Sequence, residues 1–227
     1  LPDGRILAAG GETQVSPPPV PTVLGIVKWS DLYDPAINSW RRVADMIWFR
    51  EYHAVTVLVP DGRVLMSGGT RIKFQYGPTT ADIEAFSPPY LFRGVRPQIT
   101  QISAITARRG QTISMDIFPA TSLTGVALMG HPAHTHWVNG GVPRRLELPV
   151  QQNGSTVCVT LPSDANVLPL GHYMLFAMVD DIPSVARIIR ISSAADSPPG
   201  DFDGDGEVDY GDIPPFVEAL LGVDTSC

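Results

Sequence analysis

Short apolar stretches alternate with turn residues along most of this 227-residue chain. Six stretches between residues 111 and 192 are rich in β-branched and aliphatic residues, and Pro, Gly, Asn and Asp lie between them. They are QTISMDI (111–117), GVALMG (125–130), RRLELPV (144–150), STVCVTL (155–161), YMLFAMV (173–179) and ARIIRIS (186–192). About 100 residues with about seven short strands is the size of an immunoglobulin-like β-sandwich. We therefore predict such a domain over residues 93–193.

The first part of the chain contains an internal repeat. LPDGRILAAGG at 1–11 returns as VPDGRVLMSGG at 59–69, and an aromatic-x-Pro sequence follows each copy, at 33–35 and 86–88. Each copy supplies an Asp-Gly turn, a short strand and a Gly-Gly pair. A period of about 50 residues with these parts is typical of a four-stranded kelch-type propeller blade. We predict an incomplete propeller of about one and a half blades over residues 1–92, with the other blades upstream of Leu1.

Acidic residues are concentrated near the C-terminus. The chain has 16 basic and 23 acidic residues, and the part from Gly200 to Cys227 contains no Lys or Arg. No basic stripe for a nucleic-acid partner is present. The longest apolar run, YMLFAMV, is much shorter than the ~18 residues of a membrane span. The two cysteines, Cys158 and Cys227, are too few for a disulfide framework. We expect neither a nucleic-acid partner nor a membrane span.

The acidic segment has the spacing of an EF-hand calcium loop, with a glycine at position 6. Its oxygen donors would come from Asp201, Asp203, Asp205, Glu207 (through its carbonyl), Asp209 and Asp212. Apolar residues after Asp212 predict a short exit helix with Asp212 as its N-cap, whereas Pro198 and Pro199 exclude an entering helix. An acidic, solvated turn is the alternative.

The position-12 aspartate and the missing first helix resemble one repeat of a type I dockerin. The resemblance implies a short α-helical, calcium-binding tail over residues 201–227, after a linker at 194–200. It also implies Ca²⁺ as a cofactor and a cohesin-like or cell-surface partner. The predicted fold class is therefore all-β with a short helical tail.

Two other stretches could bind a metal. Tyr52 and His53 are adjacent, and neighbouring side chains of a strand point to opposite faces. They could hold one ion only at a strand end or in a loop. The segment HPAHTHW contains His131, His134 and His136, and imidazole is a good ligand for Cu, Zn, Fe and Ni. Ordinary packing of the Tyr-His pair and a polar histidine loop are the alternatives.

Taken together, the motifs resemble the C-terminal part of the galactose oxidase/glyoxal oxidase family, copper-radical oxidases with a kelch propeller and an immunoglobulin-like early-set domain. The matching motifs, in chain order over residues 1–193, are YHAVTVLVPDGRVLMSGG, IEAFSPPYLF, RPQIT, THWVNGGVPRRLELPV and LPSDANVLPLGHYMLFAMVDDIPSVARIIRI. The resemblance implies that Tyr52, His53 and His136 hold Cu(II) and that Tyr52 is the catalytic axial tyrosine. It gives His131 and His134 no role.

The resemblance also implies an activity. Members of the family oxidise primary alcohols or aldehydes with O₂ to give H₂O₂, and a tyrosine cross-linked to a cysteine stores the radical. Neither Cys158 nor Cys227 has the sequence context of that cysteine. We therefore expect the Tyr-Cys pair upstream of Leu1 and no turnover by this chain alone.

Two functions follow from these observations. The first is the C-terminal part of a secreted copper-radical oxidase that acts with O₂ on a small alcohol, aldehyde or carbohydrate. The alternative is a non-catalytic, extracellular kelch/immunoglobulin-like protein for carbohydrate binding or adhesion, since both folds have many uses.

Overall fold

The computed structural model is built from β-strands. It describes residues 1–11, 27–50, 53–69, 82–131, 144–193, 200–202, 208–214 and 216–217. Contacts between residues divide it into two units: most of the first runs from Asp3 to Pro89, and most of the second lies after Tyr90. Each described unit has its own sheets and its own apolar core.

The first unit contains two three-stranded antiparallel sheets among its described residues. Their strands are β1 (Ile6–Ala9), β2 (Ser30–Asp34) and β3 (Ser39–Arg42) in one, and β4 (Ala54–Leu58), β5 (Val64–Gly68) and β6 (Glu84–Phe86) in the other. β1, β4 and β5 are short because an Asp-Gly or Gly-Gly pair ends each apolar run after four or five residues. Met46, Val64, Met66 and Phe86 form a small core.

The internal repeat is also a repeat of structure. In the first Asp-Gly-Arg turn, Asp3 Oδ1 accepts a hydrogen bond of 3.1 Å from the backbone N–H two residues on. In the second turn, Asp61 Oδ1 accepts the equivalent bond at 2.9 Å. Gly4 and Gly62 have φ values of 84° and 86°, which only glycine adopts readily.

The strands after these turns pair in the same register. Ile6 of β1 lies opposite Tyr33 of β2, and Val64 of β5 lies opposite Phe86 of β6. The aromatic-x-Pro sequence therefore ends the partner strand in both copies. The assignment of these sheets to kelch blades, and the number of blades, stay predictions.

The second unit is a sandwich of two sheets around one core. Its strands are β7 (Gln98–Ile102), β8 (Thr106–Arg108), β9 (Thr112–Phe118), β10 (Gly125–Gly130), β11 (Arg145–Leu148), β12 (Val150–Asn153), β13 (Thr156–Thr160), β14 (Gly171–Val179), β15 (Ile182–Pro183) and β16 (Arg187–Ser192). One sheet has the order β12-β13-β9-β7, and the other has β11-β10-β14-β16-β8 with β15 beside β14. Only β8 and β16 pair in parallel among these described strands.

The hydrophobic pattern explains the layers of this sandwich. In β9, Ile113, Met115 and Ile117 alternate with more exposed residues, as expected of a strand with one face toward the core. In β14, all residues from Tyr173 to Met178 are buried, and alternate residues (Tyr173, Leu175 and Ala177) belong to the sandwich core. The Tyr173 hydroxyl donates to Pro169 O at 2.8 Å, and burial raises the pKa of this tyrosine.

All six stretches predicted as strands lie on strands of the structure. The all-β fold and the sandwich are therefore confirmed. Two 3₁₀ turns, Pro89–Phe92 and Tyr210–Asp212, are the helical elements that begin and end within the described residues. The predicted tail helix falls mostly outside the described residues and stays a prediction. No helix in the described part of the chain is long and apolar enough to cross a membrane.

Candidate copper site and calcium loop

His53 is the one predicted copper ligand in the part of the chain that the structure describes. It lies immediately before β4, with φ 63° and an exposed side chain. His53 thus lies before the start of the strand, and joint ligation of one ion by the Tyr-His pair stays a prediction. Tyr52 and His136 lie outside the described residues, and so does His134.

A glycine makes room for the His53 backbone. A β-carbon added at Gly68 would lie 3.0 Å from His53 O, and Gly68 itself has φ 65°. Gly68 is opposite Ala54 in the β4–β5 ladder, so the start of β4 rests against the end of β5. A larger residue at Gly68 would require a small shift of the His53 carbonyl and a strained positive φ.

Arg50, two residues before Tyr52, is completely buried. Its Nε and Nη2 donate to Glu84 Oε1 at 3.1 and 2.8 Å. Its remaining hydrogen bonds go to backbone carbonyls: Nη1 to Gly68 O at 2.9 Å and Nη2 to Asp82 O at 3.0 Å. The guanidinium therefore joins the segment before the Tyr-His pair to β5 and to the segment that enters β6.

Glu84 also holds the main chain just upstream. Its Oε2 accepts from Ile47 N at 2.5 Å, and its Oε1 accepts from Trp48 N at 3.2 Å. One carboxylate thus fixes two backbone amides and one guanidinium. Charge-assisted hydrogen bonds of this kind are stronger than neutral ones.

The Gly-Gly pair of the first repeat contacts the same segment. Gly11 N donates to Arg50 O at 3.1 Å. A β-carbon at Gly10 would lie only 2.5 Å from the same carbonyl oxygen, which no real structure tolerates without movement. Both Gly-Gly pairs therefore serve close approach to the backbone that carries Arg50 and His53.

Arg50 and Glu84 are not recognisable as functional residues from the sequence. Their ion pair joins positions 34 residues apart. Neither residue is part of a motif whose spacing is typical of metal ligands. The available signal was weak: an Arg directly before Glu-Tyr-His, and one acidic residue in a short strand that is otherwise apolar.

His131, the first histidine of the predicted histidine segment, follows the end of β10. The side chain of His131 lies at the surface and is partly covered. This partial burial, and after it the charge of His172, lowers the pKa of its imidazole. Within the described residues, no three His, Cys, Asp or Glu side chains form a metal-binding group. The set Tyr52, His53 and His136 is thus a prediction of which one member has been located.

Cys158 is disulfide-bonded and lies in β13 with 5% of its surface exposed. A thioether to tyrosine needs the same sulfur atom. Cys158 therefore does not supply the cross-linked cysteine, in agreement with its sequence context.

In the predicted calcium loop, Asp201, Asp209 and Asp212 are described, whereas Asp203, Asp205 and Glu207 lie outside the described residues. Asp212 is buried: its Oδ1 accepts from Phe202 N at 2.6 Å and its Oδ2 from Asp209 N at 2.8 Å. The ring of Phe202 packs on that of Phe216 at 4.9 Å between centroids. These contacts join the two ends of the loop.

A 3₁₀ turn with its own cap precedes the predicted exit helix, and the role of Asp212 as N-cap of that helix stays a prediction. Asp209 caps the 3₁₀ turn Tyr210–Asp212, because its Oδ1 accepts from Gly211 N at 2.6 Å. Asp212 occupies the third position of the turn and completes a capping box through the Asp209 amide. Ile213 then has α-helical backbone angles of φ −60° and ψ −49°.

Comparison with known proteins identifies the second unit. Residues 96–191 match the family model described as "Galactose oxidase-like, Early set domain". The chain carries a galactose oxidase-like early-set domain. This confirms the resemblance to galactose and glyoxal oxidases for this domain, while the kelch blades and the dockerin-like loop stay predictions.

Two oxidases are similar to this chain over most of its length. The chain is 32% identical to a galactose oxidase of Gibberella zeae over 204 residues, which is 85% of this chain and 28% of that protein. It is 35% identical to the aldehyde oxidase GLOX of Vitis pseudoreticulata over 161 residues, 63% of this chain and 30% of that protein. The chain thus spans less than a third of the length of these curated relatives.

A solved structure shares the fold of most of the chain. It is a fungal alcohol oxidase of the AA5 family in complex with copper, with a TM-score of 0.72 and 28% sequence identity. The match covers 85% of this chain and 41% of that one. The chain is thus similar to alcohol, galactose and glyoxal oxidases over most of its length.

Proposed function

We propose that the chain is the C-terminal part of a secreted copper-radical oxidase. The enzyme would remove two electrons and two protons from a primary alcohol or a hydrated aldehyde and transfer them to O₂, giving H₂O₂. The observation that carries the proposal is the early-set domain, joined in one chain to a histidine held at the start of β4. Similarity to oxidases over 85% of the chain supports the same conclusion.

The donor set fits the metal. Two imidazoles, from His53 and His136, and the phenolate oxygen of Tyr52 are the N,O ligands that suit Cu(II) in tetragonal geometry. Bound copper supplies one-electron redox chemistry to such a site. The Tyr52 phenolate oxygen would take the hydroxyl proton of the alcohol as a general base. A Tyr-Cys radical pair, which the two-electron step also needs, would come from upstream of Leu1.

Copper binding by the 227-residue chain tests the proposal. We expect calorimetry to show one Cu(II) site, whose affinity falls more than about tenfold in His53→Ala and in His136→Ala, since even the loss of an outer-shell partner has such an effect. His172→Ala, an exposed histidine on β14, is the matched control and should bind copper like the wild type. Equal affinities in all four proteins would overturn the proposal and favour an adhesion or carbohydrate-binding protein.

We also propose that residues 201–212 bind Ca²⁺. The support is the carboxylate spacing together with the contacts of Asp209 and Asp212, which bring the ends of the loop together. Carboxylates this close repel one another unless a cation neutralises them, so binding would stabilise the segment. Its use would be attachment to a cohesin-like or cell-surface partner.

Calcium titration tests this second proposal. We expect heat of binding from the wild type, with a weaker affinity than that of a paired EF-hand site, and none from a variant with both Asp201→Ala and Asp205→Ala. Asp164→Ala, in a turn of the sandwich, is the control for general loss of negative charge. Equal heats from all three proteins would show that the segment is only an acidic linker.

A further inference from the structure

We propose that Arg50 and Glu84 are positioning residues for the Tyr52–His53 pair, an inference that rests on the copper function proposed above. The two charged side chains are 1% and 10% exposed. Moving two charges into a protein interior costs desolvation free energy that their attraction often fails to repay. A pair of this kind is therefore better explained by what it holds in place than by its contribution to stability.

The Arg50–Glu84 pair first holds the backbone upstream of Tyr52. Glu84 accepts from the amides of Ile47 and Trp48, while the carbonyl of Arg50 accepts from Gly11 N. The segment from Ile47 to Arg50 has no regular ladder partner among the described residues. Side-chain oxygens and a glycine amide thus supply the hydrogen bonds that a sheet would supply elsewhere.

The pair also holds the backbone downstream of Tyr52. Arg50 Nη1 donates to Gly68 O, and Gly68 lies against the carbonyl of His53. The same guanidinium therefore binds the strand end on which His53 rests. In the sequence, Tyr52 lies between Arg50 and His53, and both of these residues contact Gly68 at the end of β5.

The type of each charged residue suits this task. Arginine has a planar group whose nitrogens donate in fixed directions, so it can bind a carboxylate and two carbonyls at once. A lysine ammonium at position 50 would keep the charge but not that geometry. Metal sites need ligands held within about 0.5 Å of the productive geometry, and a surrounding shell of fixed groups provides this.

The test compares Glu84→Gln with Glu147→Gln in the 227-residue chain. Glu147 also forms an ion pair, with Arg145, but its side chain is 66% exposed and lies in the sandwich. Glu84→Gln keeps the size and one acceptor oxygen of the side chain and removes its charge. Arg50→Lys serves as a second variant, and circular dichroism together with the melting temperature confirms that each variant is folded.

Two readouts separate anchoring from copper binding. In the metal-free protein, we expect the amides of Ile47 and Trp48 to exchange with solvent about tenfold faster or more in Glu84→Gln, because hydrogen bonds to a charged acceptor are lost. With Cu(II) added, we expect a tenfold to about hundredfold weaker affinity and an altered EPR spectrum. Arg50→Lys should change both readouts in the same direction, and Glu147→Gln neither.

Each other outcome contradicts part of the account. Faster exchange with wild-type copper affinity and spectrum would show that the pair is only structural and would overturn the inference. Unchanged exchange would show that Glu84 does not anchor the segment, with the same consequence. A wild-type chain that binds no copper would overturn the proposed function itself, whatever the exchange rates.

Discussion

Burial and a neighbouring charge set the protonation of His131, the first residue after β10. Its pKa is lowered from the ordinary value of 6.5, first by partial burial and then by the charge of His172 on β14. The unfolded chain therefore takes up a proton at His131 at a higher pH than the folded protein does. The contribution to stability is present above pH 6.5 and is lost as the pH falls below that value.

The substitution His131→Asn tests this link between the protonation of His131 and the stability of the protein. We expect the wild-type melting temperature to fall between pH 7.5 and 5.5, and His131→Asn to fall about 1 °C less, because the side chain is exposed and the effect is small. Differential scanning calorimetry of both proteins measures the difference. A drop of the same size in both would mean that His131 titrates alike in the folded and unfolded chain.

Glycines at the ends of β1 and β5 bring two repeats of one sequence against the same backbone segment. Gly10 and Gly11 follow β1 and contact Arg50, whereas Gly68 is the last residue of β5 and contacts His53. The same Gly-Gly motif thus meets two successive parts of the segment that carries the predicted ligands. Sequence comparison alone predicts the motif but not the two carbonyl groups that it faces.

Gly10 and Gly11 form a matched pair of test sites. Both have positive φ, 76° and 96°, so alanine is strained by a similar amount at either position, about 1–2 kcal/mol. Only at Gly10 would the new methyl group meet Arg50 O, at 2.5 Å, while nothing lies within 4 Å at Gly11. We expect Gly10→Ala to unfold at a lower denaturant concentration than Gly11→Ala and to weaken copper binding. Equal midpoints in a urea titration would contradict the close approach.

The elements of the sandwich were predictable to different degrees, for physical reasons. The stretch that became β14 is a continuous apolar run because the strand is central and buried on both faces. The strands that the pattern missed are short or polar: β7, β8, β12 and β15. β12 (Val150–Asn153), for example, contains three polar residues. It lies at the edge of its sheet, and its one partner there is the more apolar strand β13.

The candidate site was predictable only in its ligand types. The adjacent tyrosine and histidine are visible in the sequence, and so is the carboxylate spacing of the tail. The buried Arg50–Glu84 pair and the cap at Asp209 depend on tertiary contacts and on competition between neighbouring carboxylates. Neither leaves a periodic pattern that a sequence could reveal.

The two cysteines of this chain predict a long-range covalent link. Cys158 in β13 is disulfide-bonded, and the sequence contains one other cysteine, Cys227. We therefore expect a bond between Cys158 and Cys227. Closing a loop of about 70 residues stabilises a protein by about 4 kcal/mol in the chain-entropy model. It would also fit an oxidising, extracellular location.

Peptide mapping without reduction checks this bond. The expected result is a monomer in which the peptide containing Cys158 is linked to the C-terminal peptide. A dimer linked through like peptides, or two free thiols, would contradict it. Cys158→Ser should lower the melting temperature by roughly 10 °C, given 2–4 °C for each kcal/mol in a protein of this size.

Pulsed EPR of the Cu(II)-loaded chain tests the proposal that Tyr52, His53 and His136 hold one copper ion. With ¹⁵N-labelled histidine, we predict couplings to two imidazoles in the wild type and to one in either His53→Ala or His136→Ala. Tyr52→Phe should keep both couplings, because its oxygen serves mainly to move the proton. Wild-type couplings that persist in both histidine variants would contradict the account, since the copper would then be bound by other residues.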